Sequence, residues 1–292
     1  MAEEIKKAII PAGGLGTRFL PLTKILAKES LPLVDRPLID YAVSEAVNSD
    51  ISEITFVFSK EKEAILNYFK QDLNLEGLLK KREEEEILKE LKKDEEKFKN
   101  IEFFSSFQEK PKGDGDAVLK TEKFIKGEPA AVLFPDDIFP FSKIPVIRQL
   151  ANVFYTSQRP IIGLKRVEKE RISAYGIVEV QKIAHRLYKI KEIIEKPKDI
   201  SKTPSDLAIA GRYIINSEVF EALKETPANK KGEIILAEGL RKMLNDGRII
   251  YGYEIEGEWL ECGDKLKWLI SNFHLCLAHP IYGPILKDFL KK

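Results

Sequence analysis

The order of apolar segments constrains the fold of this chain more than any other feature. Over the first 165 residues, apolar runs of strand length alternate with segments in which apolar residues recur at helical spacing. We predict strands over residues 7–11, 54–58, 101–104, 130–134 and 160–164, with helices over 37–47, 61–69, 116–124 and 146–154. This alternation is typical of a mostly parallel, doubly wound α/β sheet, in which ligands bind at the carboxyl ends of the strands.

The pattern changes after residue 170, where an added antiparallel portion is indicated. We predict closely spaced strands over 175–180, 187–194 and 208–215, then a helix over 233–244, a strand over 248–255 and a helix over 266–277. Residues 80–99 are dominated by charge but keep an approximate apolar stripe, which favours a solvated helix packed on one side, or alternatively a subunit contact. No Ser- or Gly-rich linker separates the halves, so we expect a single domain over residues 1–292.

The composition excludes several classes of protein. Lys plus Arg number 48 and Asp plus Glu 47, so a formal net charge of +1 argues against binding to nucleic acid or to a membrane surface. The longest apolar runs fall short of the roughly 18 residues that a membrane helix needs, and no secretory signal is expected. Two cysteines favour a reducing cytoplasm, and three histidines disfavour a His-based triad or a multi-histidine metal site.

A glycine-rich segment follows the first predicted strand directly and reads P-A-G-G-L-G-T-R over residues 11–18. Small residues let a backbone approach a phosphate or a base closely, and successive N–H groups form an anion-binding nest. The dinucleotide pattern G-x-G-x-x-G fails because Phe19 occupies the third glycine position after Gly14 and Gly16. The Walker pattern is absent as well, so another kind of phosphate site is indicated.

Further motifs follow in a fixed order. Residues 27–32 read A-K-E-S-L-P and include Lys28, ten residues after Arg18. Others occur at 34–39, 108–118, 134–137, 174–176, 194–197, 211–213, 232–234 and 262–266. Together they resemble the sugar-phosphate nucleotidyltransferases, most closely the bacterial and archaeal UTP–glucose-1-phosphate uridylyltransferases. The resemblance covers nearly the whole chain and implies the Rossmann-like nucleotidyltransferase fold. It also implies that residues 1–165 mainly bind the nucleotide, that residues 166–260 mainly bind the sugar phosphate, and that residues 261–292 form a helical segment.

The resemblance also implies an activity. It is the transfer of a nucleotidyl group from UTP to glucose 1-phosphate, giving UDP-glucose and pyrophosphate with Mg²⁺ as cofactor. Alternatives are a related enzyme that uses dTTP or another sugar 1-phosphate, and a catalytically impaired regulatory homologue that binds nucleotide sugars. A homodimer or homotetramer is expected. The reaction suits a histidine-poor chain, because a phosphate oxygen that is already ionised needs no general base.

Site residues are carried over from the family motifs. The implied catalytic set is Arg18, Lys28, Asp136 and Lys196. The implied nucleotide-binding set is Ala12, Gly13, Gly14, Gly16, Thr17, Arg18, Lys28, Gln108 and Gly113. The implied sugar-phosphate set is Asp137, Gly176, Glu195 and Lys196, and the implied metal ligands are Asp136 and Glu261.

Two departures from the family pattern bear on these assignments. Glu261 stands where the family has an aspartate, so we expect the longer side chain to reach the metal indirectly. Asp114 and Asp116 add negative charge near an anionic substrate and would repel it unless a metal ion or a lysine intervenes.

Overall fold

The computed structural model describes residues 4–292, apart from the side chain of Lys202. Its strands are β1 Lys7–Pro11, β2 Pro32–Leu33, β3 Arg36–Pro37, β4 Glu53–Phe58, β5 Glu102–Phe107, β6 Ala130–Leu133, β7 Asp137–Ile138, β8 Ile161–Arg166, β9 Gly176–Ala184, β10 Leu187–Glu195, β11 Leu207–Ile215, β12 Tyr251–Glu254 and β13 Leu260–Glu261. Nine of these strands, all within the described range, form one sheet in the order β5-β4-β1-β6-β11-β8-β12-β10-β9. The short pairs β2–β3 and β7–β13 lie outside it.

Helices connect and cover these strands. The α-helices are α1 Leu38–Val47, α2 Leu73–Lys81, α3 Glu85–Glu96, α4 Asp114–Leu119, α5 Glu122–Ile125, α6 Val146–Ser157, α7 Ser217–Lys224, α8 Leu236–Asn245, α9 Lys265–Ala278 and α10 Tyr282–Phe289. Short 3-10 helices span Thr17–Phe19, Leu22–Lys24, Lys28–Ser30, Lys60–Phe69, Lys169–Ala174 and Ile200–Lys202. The predicted helix over 61–69 is thus a 3-10 helix, and the one over 116–124 is divided into α4 and α5.

The first half of the sheet is parallel and sets the position of the site. Strands β5, β4, β1 and β6 run in the same direction, with Ile9 of β1 opposite Thr55 of β4 and Val132 of β6. Their carboxyl ends therefore meet at one edge, where the chain continues into the glycine-rich turn and into Gln108 and Asp136.

The antiparallel strands extend this same sheet. Strand β11 lies between β6 and β8 and is antiparallel to both, whereas β8 and β12 are parallel. The long hairpin β9–β10 forms the far edge, with Gly176 opposite Glu195. The prediction of an α/β fold with a mixed sheet is confirmed, and the antiparallel portion continues the parallel sheet without a break.

Alternation along the strands fills both faces of the sheet with apolar side chains. On one face, Ile10 and Phe56 pack with α1 and α6. On the other face, Ile9 and Val57 pack with α4, α7 and α8. The helices on the two faces exclude water from the strands, so the carboxyl edge of the sheet remains accessible to ligands.

The C-terminal helix α9 has its apolar stripe on the outside. Ser271 and Leu275 face inward, whereas Leu266, Leu269 and Phe273 are each more than half exposed. The charged segment over residues 80–99 contains the end of α2 and the whole of α3, and α3 has no buried residue. Across residues 4–292, every helix is too short or too polar to cross a membrane.

Candidate active site at the carboxyl edge of the sheet

The glycine-rich turn continues β1 and is tied to the neighbouring strand. The Ala12 amide donates to the Val57 carbonyl at 2.9 Å, so the start of the turn keeps the register of the sheet. Gly16 adopts φ +65°, and a Cβ there would lie 2.9 Å from the Thr23 side chain, which leaves room only for glycine. Gly14 is open to solvent, and Thr17 begins the 3-10 turn that carries Arg18.

Three of the predicted catalytic side chains meet at this edge. The Lys28 ammonium lies 2.9 Å from Asp136 Oδ2, and each of these side chains is about one-fifth exposed, at 18% and 22%. Arg18 donates to the Gly263 carbonyl at 3.2 Å. A Cβ on Gly263 would be 3.5 Å from Arg18 Nη1 and 3.6 Å from Asp136 Oδ2, so Gly263 marks the point where the two charged groups converge.

The opposite charges in this cluster stabilise the ionised forms of Lys28 and Asp136. Burial alone would lower the pKa of Lys28, but the nearby carboxylates of Asp136 and Glu29 outweigh burial and raise it. Burial would raise the pKa of Asp136, but Lys28 and Arg18 outweigh it and hold that pKa below its usual range. At neutral pH the cluster therefore presents a full ammonium, a guanidinium and a full carboxylate.

A second group of predicted residues surrounds the buried amide of Gln108. Its Nε2 donates to the Gly113 carbonyl at 3.0 Å, and a Cβ on Gly13 would lie 3.3 Å from its Oε1. Gly113 adopts φ +95°, and a Cβ there would collide with the Ile234 carbonyl at 2.3 Å. Backbone and amide groups suited to the edge of a base thus lie together, beside Ala12.

The two additional acidic residues already have hydrogen-bond partners within the protein. Asp116 accepts from Gln108 Nε2 at 2.7 Å, which orients the amide. Asp114 Oδ1 accepts from the Leu236 amide at 2.8 Å, at the start of α8, and burial raises its pKa. These hydrogen bonds orient the two carboxylates but come from neutral amides, so the expectation that Asp114 and Asp116 repel an anionic substrate unless a metal ion or a lysine intervenes stays a prediction.

The predicted sugar-side residues lie on the hairpin β9–β10. Glu195 pairs with Gly176 across the hairpin, and a Cβ on Gly176 would be 2.9 Å from Glu195 Oε2, so glycine leaves space around this carboxylate. Lys196 has φ +47°, in the left-handed region that a lysine rarely adopts, and its amide donates to the Tyr175 carbonyl at 3.0 Å. A left-handed backbone conformation is strained for a residue other than glycine, and strained residues concentrate at functional sites.

Asp137 is held by a hydrogen bond from Trp259. Its Oδ1 accepts from Trp259 Nε1 at 2.9 Å, and the Trp259 ring lies 5.2 Å from the ring of Tyr175, centroid to centroid. Burial raises the pKa of Asp137 to about 6, and the adjacent charge of Asp136 adds to the rise. A chain of contacts through Tyr175, Trp259 and Asp137 thus links the hairpin to the Lys28 cluster.

A buried ion pair fixes the turn that carries both aspartates. Arg212 is fully buried on β11 and lies 2.9 Å from Glu45 of α1. Its guanidinium also donates to the carbonyls of Phe134 at 2.8 Å and Asp137 at 2.5 Å. Because removing one partner of a buried pair costs roughly 3–5 kcal/mol, this arrangement holds the turn rigidly.

Glu261 lies in a cluster of its own. Its Oε1 is 2.6 Å from the Lys267 ammonium, and its Oε2 accepts from the Tyr175 hydroxyl at 2.6 Å and from Arg171. Both carboxylate oxygens therefore have cationic or hydrogen-bonding partners other than the Lys28 cluster. Strand pairing puts Glu261 opposite Asp137, whereas Asp136 is one residue earlier in that turn.

The residues of this site suit a magnesium ion that the protein and a phosphate-containing substrate bind together. Asp136 supplies an ionised, partly exposed carboxylate beside two cationic groups that suit phosphate. No cluster of three or more metal-binding His, Cys, Asp or Glu side chains occurs in the described part of the chain. Magnesium commonly takes one or two carboxylates and completes its shell with phosphate oxygens and water, so this donor set fits it.

Several contacts of the site had no counterpart in the sequence motifs. Trp259, Arg171 and Lys267 organise Asp137 and Glu261 from positions outside the motifs that we interpreted. Trp259 and Arg171 had no local signal for this role because their partners lie 122 and 90 residues away along the chain. Lys267 lies only six residues from Glu261, but a lysine and a glutamate at that spacing are not a motif.

Known proteins of one family resemble this chain over most of its length. Residues 7–272 match the family described as nucleotidyl transferase. A UTP–glucose-1-phosphate uridylyltransferase of Bacillus subtilis is 38% identical over 275 residues, which cover 94% of this chain and 92% of the relative. UTP–glucose-1-phosphate uridylyltransferase 1 of Staphylococcus saprophyticus is 36% identical over 289 residues, which cover 99% of this chain and 98% of the relative.

Solved structures show the same likeness. A UTP-bound UGPase from Acinetobacter baumannii is 32% identical, with a TM-score of 0.90 and 99% of each chain covered. A UDP-glucose pyrophosphorylase in complex with UDP-glucose is 33% identical, with a TM-score of 0.82, covering 93% of this chain and 98% of the other. These findings confirm the resemblance that the motifs indicated. The chain belongs to the nucleotidyl transferase family.

Proposed function

We propose that this protein transfers a uridylyl group from UTP to glucose 1-phosphate, forming UDP-glucose and pyrophosphate. The observation that carries the proposal is the meeting of Arg18, Lys28 and Asp136 at the carboxyl edge of the sheet. Relatives at 36% and 38% identity over almost the full length carry the name of this activity.

The reaction is a displacement at the α-phosphorus of UTP. A phosphate oxygen of glucose 1-phosphate forms the new bond, and the bond between the α-phosphorus and the oxygen that bridges it to the β-phosphorus breaks, so pyrophosphate leaves with that electron pair. The attacking oxygen is ionised at neutral pH and needs no base. Arg18 and Lys28 stabilise the negative charge that gathers on the α-phosphate and on the leaving group.

The nucleotide side is assigned to the turn after β1 and to the end of β5. Gln108 and the backbone of Ala12, Gly13 and Gly113 suit the edge of a pyrimidine, because amide and peptide groups supply both donors and acceptors. The phosphate chain then runs toward Arg18, along the backbone N–H groups of Gly14, Gly16 and Thr17.

The sugar side is assigned to the hairpin β9–β10. Glu195 accepts hydrogen bonds from glucose hydroxyls next to Gly176, and Lys196 binds the sugar phosphate. Asp137 supports this side through Trp259. In this division residues 1–165 act mainly on the nucleotide, 166–260 mainly on the sugar phosphate, and 261–292 form the helical end.

Magnesium is proposed as the cofactor, with Asp136 as its protein ligand. When bound, Mg²⁺ supplies positive charge to the phosphate oxygens of UTP and of the leaving pyrophosphate. Glu261, held by Arg171 and Lys267, is assigned an indirect role in the surroundings of the ion.

Pyrophosphate release from a panel of substrates tests the proposed function. UTP and dTTP are each offered with glucose 1-phosphate, galactose 1-phosphate and N-acetylglucosamine 1-phosphate. We expect UTP with glucose 1-phosphate to give the highest kcat/KM. A preference for dTTP, or for another sugar, would replace the substrate assignment, and the absence of turnover with every pair would favour a regulatory homologue.

We expect the Lys196→Ala variant to raise the KM for glucose 1-phosphate about tenfold and the KM for UTP less than about twofold. The reason is that its ammonium is assigned to the sugar phosphate alone. The two KM values are measured from initial rates, with the concentration of one substrate varied while the other is saturating. Lys198→Ala, two residues further along the same segment, serves as the control, and equal rises of both KM values in Lys196→Ala would contradict the division between the two sides.

A homodimer or homotetramer is proposed from the outer face of the C-terminal helices. Leu266, Leu269, Ile270 and Phe273 form an exposed apolar stripe on α9, which Ile285 of α10 supplements. Contiguous exposed apolar surface marks an interaction site, and a second copy of the chain can cover its own patch by two-fold symmetry. Sedimentation equilibrium tests this, and a monomer at micromolar concentration would contradict it.

A further inference from the structure

Lys62 lies behind the glycine-rich turn and joins two segments of the proposed nucleotide site. It belongs to the 3-10 helix Lys60–Phe69, which follows β4 at the carboxyl edge of the sheet. Its side chain is only 11% exposed, unlike that of Lys60, which is open to solvent on the same helix. A lysine buried to this degree needs partners for its charge.

The Lys62 ammonium has three hydrogen-bond acceptors. They are the carbonyl oxygen of Ala12 at 2.9 Å, the carbonyl oxygen of Gly14 at 2.5 Å, and Glu29 Oε2 at 2.8 Å. An ammonium carries three N–H donors, so each donor has one acceptor. Two of the acceptors belong to the backbone of the turn after β1, and the third belongs to the segment that carries Lys28.

Glu29 anchors that segment. Its side chain is fully buried, and its Oε1 finds no hydrogen-bond partner among residues 4–292. Because an unpaired buried carboxylate is costly, Glu29 depends on its ion pair with Lys62. The adjacent residue Lys28 contacts Asp136.

We propose that Lys62 is a positioning residue that holds the turn at Ala12–Gly14 against the Lys28 segment. The contact sets the distance between the backbone groups that face the base and the ammonium that faces the triphosphate. This inference rests on the proposed function, because that function assigns both segments to UTP. Lys62 acts through the two carbonyls and Glu29, without touching the substrate.

The Lys62→Met variant tests the proposal, since methionine keeps much of the apolar stem and removes the ammonium. We expect the KM for UTP to rise about tenfold, because misplaced binding groups lose part of their contact with the nucleotide. The KM for glucose 1-phosphate should change less than about twofold, since neither segment is on the sugar side. Lys60→Met is the matched control, and its constants should equal those of the wild type.

A double variant separates positioning from charge balance. Lys62→Met strands the buried carboxylate of Glu29, and Lys62→Met with Glu29→Gln removes that stranded charge. We expect the double variant to regain most of the stability to urea that the single variant loses. Its KM for UTP should remain raised about tenfold, because the bonds to the two carbonyls are still missing. Recovery of both stability and KM would overturn the proposal, since Lys62 would then serve only to neutralise Glu29.

Hydrogen exchange of the ligand-free protein gives a readout that needs no activity. In Lys62→Met we expect faster exchange at amides of residues 12–17 and 27–30, with no change in the hairpin β9–β10. Unchanged exchange at both segments would overturn the proposal. Failure of the proposed function is a separate result, seen as a wild type that makes no UDP-glucose, and it leaves the exchange measurement valid for the contacts of Lys62.

Discussion

Lys28→Met is expected to lower kcat by about 10²- to 10³-fold while leaving the protein folded. The Lys28 ammonium is aimed at the space beside Asp136 and Arg18, where charge develops during the displacement. Losing one preorganised donor of this kind typically costs about 3–4 kcal/mol of transition-state stabilisation. The measurement is kcat at saturating UTP and glucose 1-phosphate, together with the free energy of unfolding in urea.

Lys242→Met is the matched control for this prediction. The Lys242 ammonium also lies 2.9 Å from a carboxylate, that of Asp246, but this pair is on the surface of α8. Exposed ion pairs of this kind contribute little to stability, so this variant should stay folded and keep its kcat. A Lys28→Met enzyme within twofold of wild-type kcat would contradict the assignment of Lys28 to the reacting phosphates.

Asp136→Asn is expected to reduce magnesium-dependent activity by at least about 10²-fold and to weaken metal binding itself. Asparagine keeps the size of the side chain but removes the charge that suits a hard cation. Activity is measured against magnesium concentration. Calorimetric titration of Mg²⁺ into the protein with bound UTP gives a second readout, which does not depend on turnover. An Asp136→Asn variant with wild-type magnesium affinity would contradict the assignment of Asp136 as ligand.

Glu261→Gln should reduce activity only partly in the same titrations. Lys267, Tyr175 and Arg171 engage its two oxygens, so the loss of charge at Glu261 acts on the metal indirectly. Glu261→Asp, which restores the side chain that the family pattern has at this place, should be tolerated. A Glu261→Gln enzyme as inactive as Asp136→Asn would show that Glu261 is a direct ligand.

The sequence predicted those parts of the molecule that depend on local pattern. The strand over residues 7–11 and the turn after it were recognisable because apolar runs and glycines determine backbone conformation over a few residues. Arg18, Lys28 and Asp136 were recognised by their motifs, and the parallel strands then explain why they meet. The Lys28–Asp136 contact joins residues 108 apart, so only the fold reveals it.

Other features depend on distant contacts and had no local signal. The hydrogen bond that Asp114 accepts from the Leu236 amide joins residues 122 apart along the chain, so no local pattern could indicate it. Lys62 was one charged residue among many, because its carbonyl partners have no side-chain signature. The position of β11 between β6 and β8 could not be inferred either, since an apolar run fits any buried place in a sheet.

The fate of an α-³²P label on UTP tests the central claim most directly. The purified protein is incubated with labelled UTP, glucose 1-phosphate and Mg²⁺, and the products and the protein are separated. Direct displacement predicts that the label appears in UDP-glucose, with one unlabelled pyrophosphate released for each molecule formed and no label on the protein. Label recovered as UMP, or bound covalently to the protein, would contradict direct transfer at the site formed by Arg18, Lys28 and Asp136.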